Sequence, residues 1–132
     1  MQMMSTEWVC EVHDAILKTT SGLKGSVDTN RLNSALSRID QRMAYDNLSD
    51  VFDVAALYAV SIAKAHAFSD GNKRTALVTM LVFLDMHGIE VPPGQGLDDL
   101  MVTVAASEVC EGRLSEIMRT LSGYTNSNIL PA

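Results

Sequence analysis

Residues 66–84 read HAFSDGNKRTALVTMLVFL, a polar loop followed without a break by an apolar run. The run from Thr75 to Leu84 has no charged residue and is apolar nearly all round, which predicts the central, fully surrounded helix of a bundle. Residues 51–65 carry apolar side chains at helical spacing and predict a helix that ends at His66. The polar loop therefore joins two buried helices, on the stiffest part of the fold.

The rest of the chain predicts four further helices. Apolar residues spaced by three and four mark inward faces at 8–16, 32–43, 97–105 and 114–121. The composition, 47% hydrophobic but only 5% aromatic, is typical of a helical bundle rather than a sheet. We therefore expect an all-α fold, a compact single-domain bundle of about six helices around a central apolar helix.

Local signals predict the ends of several of these helices. Ser5 or Thr6, Asp28 or Thr29, and Asp50 are residue types that cap helix N-termini. Glycines at 22 and 25 predict a loop after the first helix. In that helix the spacing places Ala15 inward and His13 with Asp14 on the polar side, and we expect residues 1–4 to fray.

Charge and composition exclude several classes of function. A formal net charge of −6 and a pI of about 4.8 argue against a broad electrostatic grip on nucleic acid. The longest uncharged apolar stretches are ten residues, too short to span a bilayer, and Glu7 and Glu11 interrupt any signal peptide. Cys10 and Cys110 lack metal-ligand spacing and predict buried, reduced thiols. These features predict a cytoplasmic protein.

The start of the helix after the loop predicts a phosphate site. A helix N-terminus presents unpaired backbone N–H groups and a partial positive charge, so it attracts anions. Lys73 and Arg74 add two cations in the first turn, where the helix dipole alone favours acidic residues. Gly71 allows a tight turn against a ligand, and the amide of Asn72 belongs to the same cluster. We predict that residues 71–74 bind phosphate.

The other loop residues supply the remaining chemistry. Asp70, with the carbonyl of Asn72, is a candidate ligand of a divalent cation that bridges phosphate oxygens. His66 has an ordinary pKa near neutrality and is the natural general base. Phe68 is the apolar anchor of the loop. The alternative is a polar connecting loop, in which Asp70 or Gly71 caps a helix and His66 packs on its neighbours.

The stretch from His66 to Ala76 resembles the signature of the Fic/Doc superfamily, His-x-Phe-x-Asp/Glu-Gly-Asn-Gly-Arg. It is more similar still to the form in Doc (death-on-curing) toxins, His-x-Phe-x-Asp-x-Asn-Lys-Arg-Thr-Ala. A weaker resemblance extends to residues 12–15, to Gly22-Leu23 and to Ala44-Tyr45. The resemblance implies a Doc-type domain over residues 5–121, followed by a loose C-terminal tail over residues 122–132.

Resemblance to the Doc branch implies a toxin-type protein kinase. Such a protein transfers the γ-phosphate of ATP, with Mg²⁺, to a threonine or serine of a translation protein such as elongation factor Tu. A cognate antitoxin is the implied second partner, and it would neutralise the toxin.

Two positions depart from the broader Fic pattern. Lys73 stands where AMP-transferring members have glycine, and Leu77 stands where they have a second arginine. The long side chain of Lys73 would fill the space that the α-phosphate needs, which favours a kinase. Two alternatives stay open: an adenylyltransferase of the Fic type, and a catalytically silent module that binds an antitoxin.

Residues 107–112 match a short pattern of another kind. Ser107 and Glu111 fit the Ser/Thr-x-x-x-Glu form of the inhibitory helix found in some Fic proteins. The arginine that such a glutamate engages is replaced here by Leu77, so inhibition by a separate antitoxin is the better expectation.

Overall fold

The computed structural model of the chain describes residues 1–19 and 27–124, and helices dominate this part. Its elements are α1 (Thr6–Thr19), α2 (Thr29–Asp46), α3 (Val51–Ala65), α4 (Asn72–Met86), α5 (Leu97–Ala105) and α6 (Glu111–Leu121). Among these residues the only β-type pairing is an isolated bridge between Val27 and Phe68. The predicted all-α bundle of about six helices is confirmed. The expected loop at Gly22 and Gly25, the Gly22-Leu23 resemblance and tail residues 125–132 lie outside the described residues.

Side-chain caps begin three of the helices where the sequence predicts them. Ser5 Oγ accepts a hydrogen bond from the Trp8 N–H at 3.1 Å, and Asp28 Oδ1 accepts one from the Arg31 N–H at 3.1 Å. Asp50 Oδ1 accepts from the backbone of the second and third residues of α3, at 2.8 and 3.2 Å. Each cap satisfies N–H groups that have no partner inside the helix.

The centre of the bundle differs from the sequence expectation. α3 packs against α2, α4, α5 and α6, and nine of its fifteen residues are buried. α4, the expected central helix, packs against α1, α3 and α5, with seven buried residues. Four buried alanines on α3, at 55, 56, 59 and 63, let neighbouring helices approach it on several sides. The loop between α3 and α4 is consequently anchored at both ends in the core.

The N-terminal residues are more ordered than expected, and α1 presents a different face. Met4 is only 4% exposed; its N–H donates to the Tyr58 hydroxyl at 2.9 Å, and that hydroxyl donates to the Met4 carbonyl at 3.2 Å. The expectation that residues 1–4 fray is therefore wrong for Met4. Ala15, expected inward, is exposed, whereas His13 is buried beside Val12.

Polar contacts attach α6 to the first turn of α3. The guanidinium of Arg119 lies 3.0 Å from Asp50 Oδ2 and 4.9 Å from the centre of the Phe52 ring. Tyr124, which the sequence analysis assigns to the tail, makes an edge contact with the same ring at 5.4 Å between centroids.

Two further expectations concern membrane and thiol chemistry. In residues 1–19 and 27–124 no helix combines the length and apolar character that crossing a membrane requires. Cys10 and Cys110 are both free thiols, but neither is fully buried: Cys10 is half-buried and Cys110 is exposed.

Candidate active site

A cleft of about 510 Å³ opens where the end of α3, the start of α4 and one face of α5 meet. It brings together six of the predicted site residues, His66, Asp70, Gly71, Asn72, Lys73 and Arg74. Phe68 is not among its lining residues; it is 5% exposed and packs in the core beneath the loop, the position an anchor requires. The local sequence motif thus becomes one wall of a cleft.

His66 lies at the junction of a rigid helix and the loop. It is the residue after α3, and its backbone is left-handed, with φ 50° and ψ 42°. Glycine usually occupies such a position at a helix end, and other residues there cost of order 1 kcal/mol. The turn sends the chain away from the helix axis, and the His66 side chain is exposed at the cleft.

The N-terminus of α4 has the features of an anion site. Its cap residue, Gly71, has φ +79° and supplies no side-chain cap, and the first turn has no acidic residue. The first helical bond runs from the Thr75 N–H to the Gly71 carbonyl, at 2.8 Å. The N–H groups of residues 72–74 precede this bond, so they can bind an anion in the cleft.

The two cations of this turn lie in different surroundings. Lys73 and Arg74 are both exposed and both line the cleft. Arg74 Nε lies 3.4 Å from Asp98 Oδ1 of α5, and the two side chains are 50% and 68% exposed. An ion pair this open to water is weak, so an anion in the cleft can take the place of Asp98.

The side chain of Asn72, a predicted metal ligand, also closes the loop. Its Oδ1 accepts from the Phe68 N–H at 3.1 Å, and its Nδ2 donates to the Phe68 carbonyl at 2.8 Å. Both ends of the carboxamide are therefore engaged in closing the loop. Asn72 therefore fixes the loop, and its backbone N–H belongs to the anion site; its part in binding a metal ion stays a prediction.

Asp70 is the motif carboxylate that faces the cleft. Its Oδ1 accepts from the Gly71 N–H at 2.8 Å, which orients the carboxylate. Among the described residues, no group of three or more His, Cys, Asp or Glu side chains could hold a metal ion. Mg²⁺ is commonly held by one or two carboxylates together with substrate phosphates and water, so a single Asp70 fits that ion.

His13 lies directly beneath the loop, although it was predicted to lie on the polar side of α1. It is 3% exposed, and its ring stacks on Phe68 with 3.9 Å between centroids. Its Nε2 lies 2.8 Å from the Asp70 carbonyl oxygen. His13 lies four residues after Val9 and three before Ile16, and this helical spacing could have predicted that it faces inward.

The opposite wall of the cleft comes from α5, which was not predicted from the sequence to contribute to the site. Asp98 and Asp99 line it, followed by Met101, Val102 and Ala105. Acidic residues in the first turn of a helix are favourable for the helix dipole alone, so Asp98 and Asp99 give no sign of a cleft in the sequence. No local signal predicts that α5 packs beside the motif, because that depends on tertiary contacts.

The pattern at residues 107–112 does not form an inhibitory helix. Residues 106–110 make the turn between α5 and α6, and Ser107 has φ +63°. Glu111 Oε1 lies 3.2 Å from Arg42 Nη1, whereas Arg74 pairs with Asp98. Arg42 and Glu111 line a separate groove between α2, α3 and α6.

Comparison with known proteins gives a family match and two related sequences. The model of the Fic/DOC family matches residues 3–84. The protein named Protein kinase doc of Escherichia phage P1 is 37% identical over 123 residues, 93% of this chain and 98% of the relative. The protein named Toxin Doc of Mycolicibacterium smegmatis is 34% identical over 102 residues, 74% of this chain and 75% of the relative.

Proposed function

The chain belongs to the Fic/DOC family, and on that premise we propose that it is a toxin-type protein kinase. In this proposal it transfers the γ-phosphate of ATP to a threonine or serine of a translation protein. The names of the two relatives, a protein kinase and a toxin, support both halves of the proposal.

One structural observation carries the proposal. A candidate base, a carboxylate and a cationic helix N-terminus line the same cleft, in His66, Asp70 and residues 72–74. Phosphoryl transfer needs little covalent chemistry from the protein; it needs positioning and charge stabilisation. These groups are sufficient for that task.

The role of each residue follows from its position. His66 accepts the proton of the attacking hydroxyl, and its exposure leaves room for an acceptor protein. The backbone N–H groups of residues 72–74, with Lys73 and Arg74, stabilise the negative charge on the transferred phosphoryl group. Asp70 would hold Mg²⁺, which neutralises phosphate charge when bound.

Lys73 supports phosphate transfer over AMP transfer. It is an exposed side chain of the first turn of α4 and lines the cleft. A lysine here occupies space that a glycine would leave open. Leu77, at the place of the second family arginine, is buried in the core and offers no charge to a nucleotide.

We further propose elongation factor Tu as the acceptor and a cognate antitoxin as the inhibitor. Both follow from the resemblance to Doc toxins. The net charge of −6 is consistent with a protein target rather than a nucleic acid.

Labelled ATP tests the type of transfer. Cell lysate is incubated with the protein and ATP labelled at either the γ- or the α-phosphate, with the His66→Asn variant as control. Protein that is labelled only from γ-labelled ATP, and only by the unmodified enzyme, supports the kinase. Label from α-labelled ATP would indicate AMP transfer, and no label from either would indicate a silent binding module.

A further inference from the structure

The imidazole of His13 is buried under the loop that carries the proposed active site. Its Nε2 lies 2.8 Å from the Asp70 carbonyl oxygen, and its ring stacks on the Phe68 ring at 3.9 Å between centroids with 14° between planes. A Cβ added to Gly71 would lie 3.6 Å from His13 Cδ2 and Nε2. The ring therefore contacts the loop at Phe68 and Asp70 and lies close to Gly71.

The contact with the Asp70 carbonyl determines that the Nε2 nitrogen of the ring carries a proton. A carbonyl oxygen only accepts hydrogen bonds, so the Nε2 atom of His13 must carry the proton and donate it. Burying an imidazole without such a partner would cost free energy. The bond thus gives a reason for a polar side chain at this inward position of α1.

This bond also determines which way the Asp70–Gly71 peptide points. In a trans peptide the C=O and the N–H point in opposite directions. With the Asp70 carbonyl turned toward His13, the Gly71 N–H points to the other side, where it donates to Asp70 Oδ1 at 2.8 Å. Glycine tolerates other backbone angles, so residue 71 alone does not enforce this orientation.

We propose that His13 is a positioning residue that orients the carboxylate of Asp70 through the Asp70–Gly71 peptide. Loss of the Nε2 donor frees the peptide to rotate, and rotation removes the N–H that orients the carboxylate. A rotated peptide also turns a carbonyl oxygen toward the side where phosphate binds. The consequence for magnesium rests on the proposed kinase function, whereas the orientation of the peptide does not.

Two variants separate the donor from the ring. His13→Phe keeps a stacking ring against Phe68 but removes the donor. His13→Gln removes the ring but keeps an amide Nε2 at a similar reach from the backbone, so it can still donate to the Asp70 carbonyl. Thermal unfolding of each variant reports its fold.

The first measurements use the protein without nucleotide. Nitrogen-15 NMR of the unmodified protein should show His13 protonated at Nε2, a result that does not depend on any variant folding. The Gly71 amide proton, bonded to a carboxylate, should be shifted downfield. That shift should be lost in His13→Phe and kept in His13→Gln.

The second measurement is the magnesium dependence of phosphate transfer at saturating ATP. His13→Phe should raise the Mg²⁺ concentration for half-maximal rate about tenfold, and His13→Gln by less than about threefold, as expected for one hydrogen bond lost or kept. A merely structural residue would lower stability and the amount of active protein without moving this concentration.

Each other outcome overturns the inference. A His13 ring without a proton on Nε2 contradicts the bond itself, and an unchanged Gly71 amide in His13→Phe contradicts the link to the peptide. If both variants raise the Mg²⁺ concentration for half-maximal rate equally, the imidazole ring, rather than its hydrogen-bond donor, determines the orientation of the Asp70 carboxylate. If the unmodified protein transfers no phosphate, the kinase proposal fails while the Gly71 amide still decides whether His13 orients the peptide.

Discussion

The guanidinium of Arg74 lies 3.4 Å from the carboxylate of Asp98, so α5 supplies a counter-ion to a cation that α4 presents to the cleft. The two residues come from opposite walls. A phosphate that binds Arg74 must compete with Asp98, and because both side chains are half exposed or more, the competition is mild.

Removal of this competitor should tighten nucleotide binding. Asp98→Asn is expected to lower the KM for ATP by about two- to fivefold, the range that exposed ion pairs contribute. The control is Glu90→Gln, an exposed acid beyond the far end of α4, roughly 20 Å away along a fifteen-residue helix. A raised KM in Asp98→Asn would mean instead that Asp98 itself contacts the substrate.

His66→Asn should abolish transfer and leave the fold intact. Asparagine tolerates the left-handed backbone of this position, so thermal stability should change little. Loss of a general base costs about 10²- to 10⁴-fold in rate. Initial rates with γ-labelled ATP and a melting curve check both parts; a variant as active as the unmodified protein would remove His66 from the chemistry.

Two glycines with the same backbone angle allow a matched comparison. Gly71 and Gly88, at opposite ends of α4, have φ +79° and +80°. Alanine at either position should cost about 1 kcal/mol in unfolding free energy from strain. Only Gly71→Ala should also lower the transfer rate, because it alters the turn before the anion site. Equal activity of the two variants would show that the turn at residue 71 does not matter for catalysis.

Asn72→Asp distinguishes a loop-closing residue from a metal ligand. Aspartate keeps an acceptor for the Phe68 N–H but places an oxygen where Nδ2 now donates to the Phe68 carbonyl. The variant should lose about 1–3 kcal/mol of stability, measured by denaturant unfolding, and should lose activity as the loop shifts. A metal ligand would behave differently, since an added carboxylate would preserve or strengthen Mg²⁺ dependence at unchanged stability.

Glu111→Gln tests self-inhibition and carries a pH signature. A hydrogen bond from its own backbone N–H, together with Arg42, lowers the pKa of Glu111 below its ordinary value of 4.5. Its contribution to stability is therefore present at neutral pH and is lost as the pH falls through the lowered folded-state pKa. The variant should be slightly less stable at pH 7, equally stable in strong acid, and unchanged in transfer rate. A higher transfer rate in Glu111→Gln would indicate that Glu111 inhibits the active site.

Local signals made much of this molecule predictable. Caps at Ser5, Asp28 and Asp50 are set by neighbouring backbone N–H groups, so the sequence locates each of them to within one residue. The residues of one cleft wall lie in a single stretch from His66 to Arg74, and a contiguous motif needs no knowledge of helix packing.

Residues brought in by packing were harder to predict. His13 reaches the loop only because α1 lies against α4, and Asp98 reaches Arg74 only because α5 does. The loop-closing role of Asn72 was not predicted for a related reason: its partners are backbone atoms of Phe68, which a pattern of side-chain types does not show. α3 lies at the centre because its small alanines let neighbouring helices approach closely. Hydrophobicity alone does not indicate this, since alanine is only weakly apolar.

In the proposed function, this cleft transfers a phosphoryl group with His66 as the base. Intact-mass spectrometry of purified elongation factor Tu, after incubation with the protein, ATP and Mg²⁺, tests it most directly. We predict a gain of one phosphoryl group that is absent with His66→Asn. A gain of one AMP would instead indicate AMP transfer, and a phosphoryl gain that persists in the variant would exclude His66 as the base.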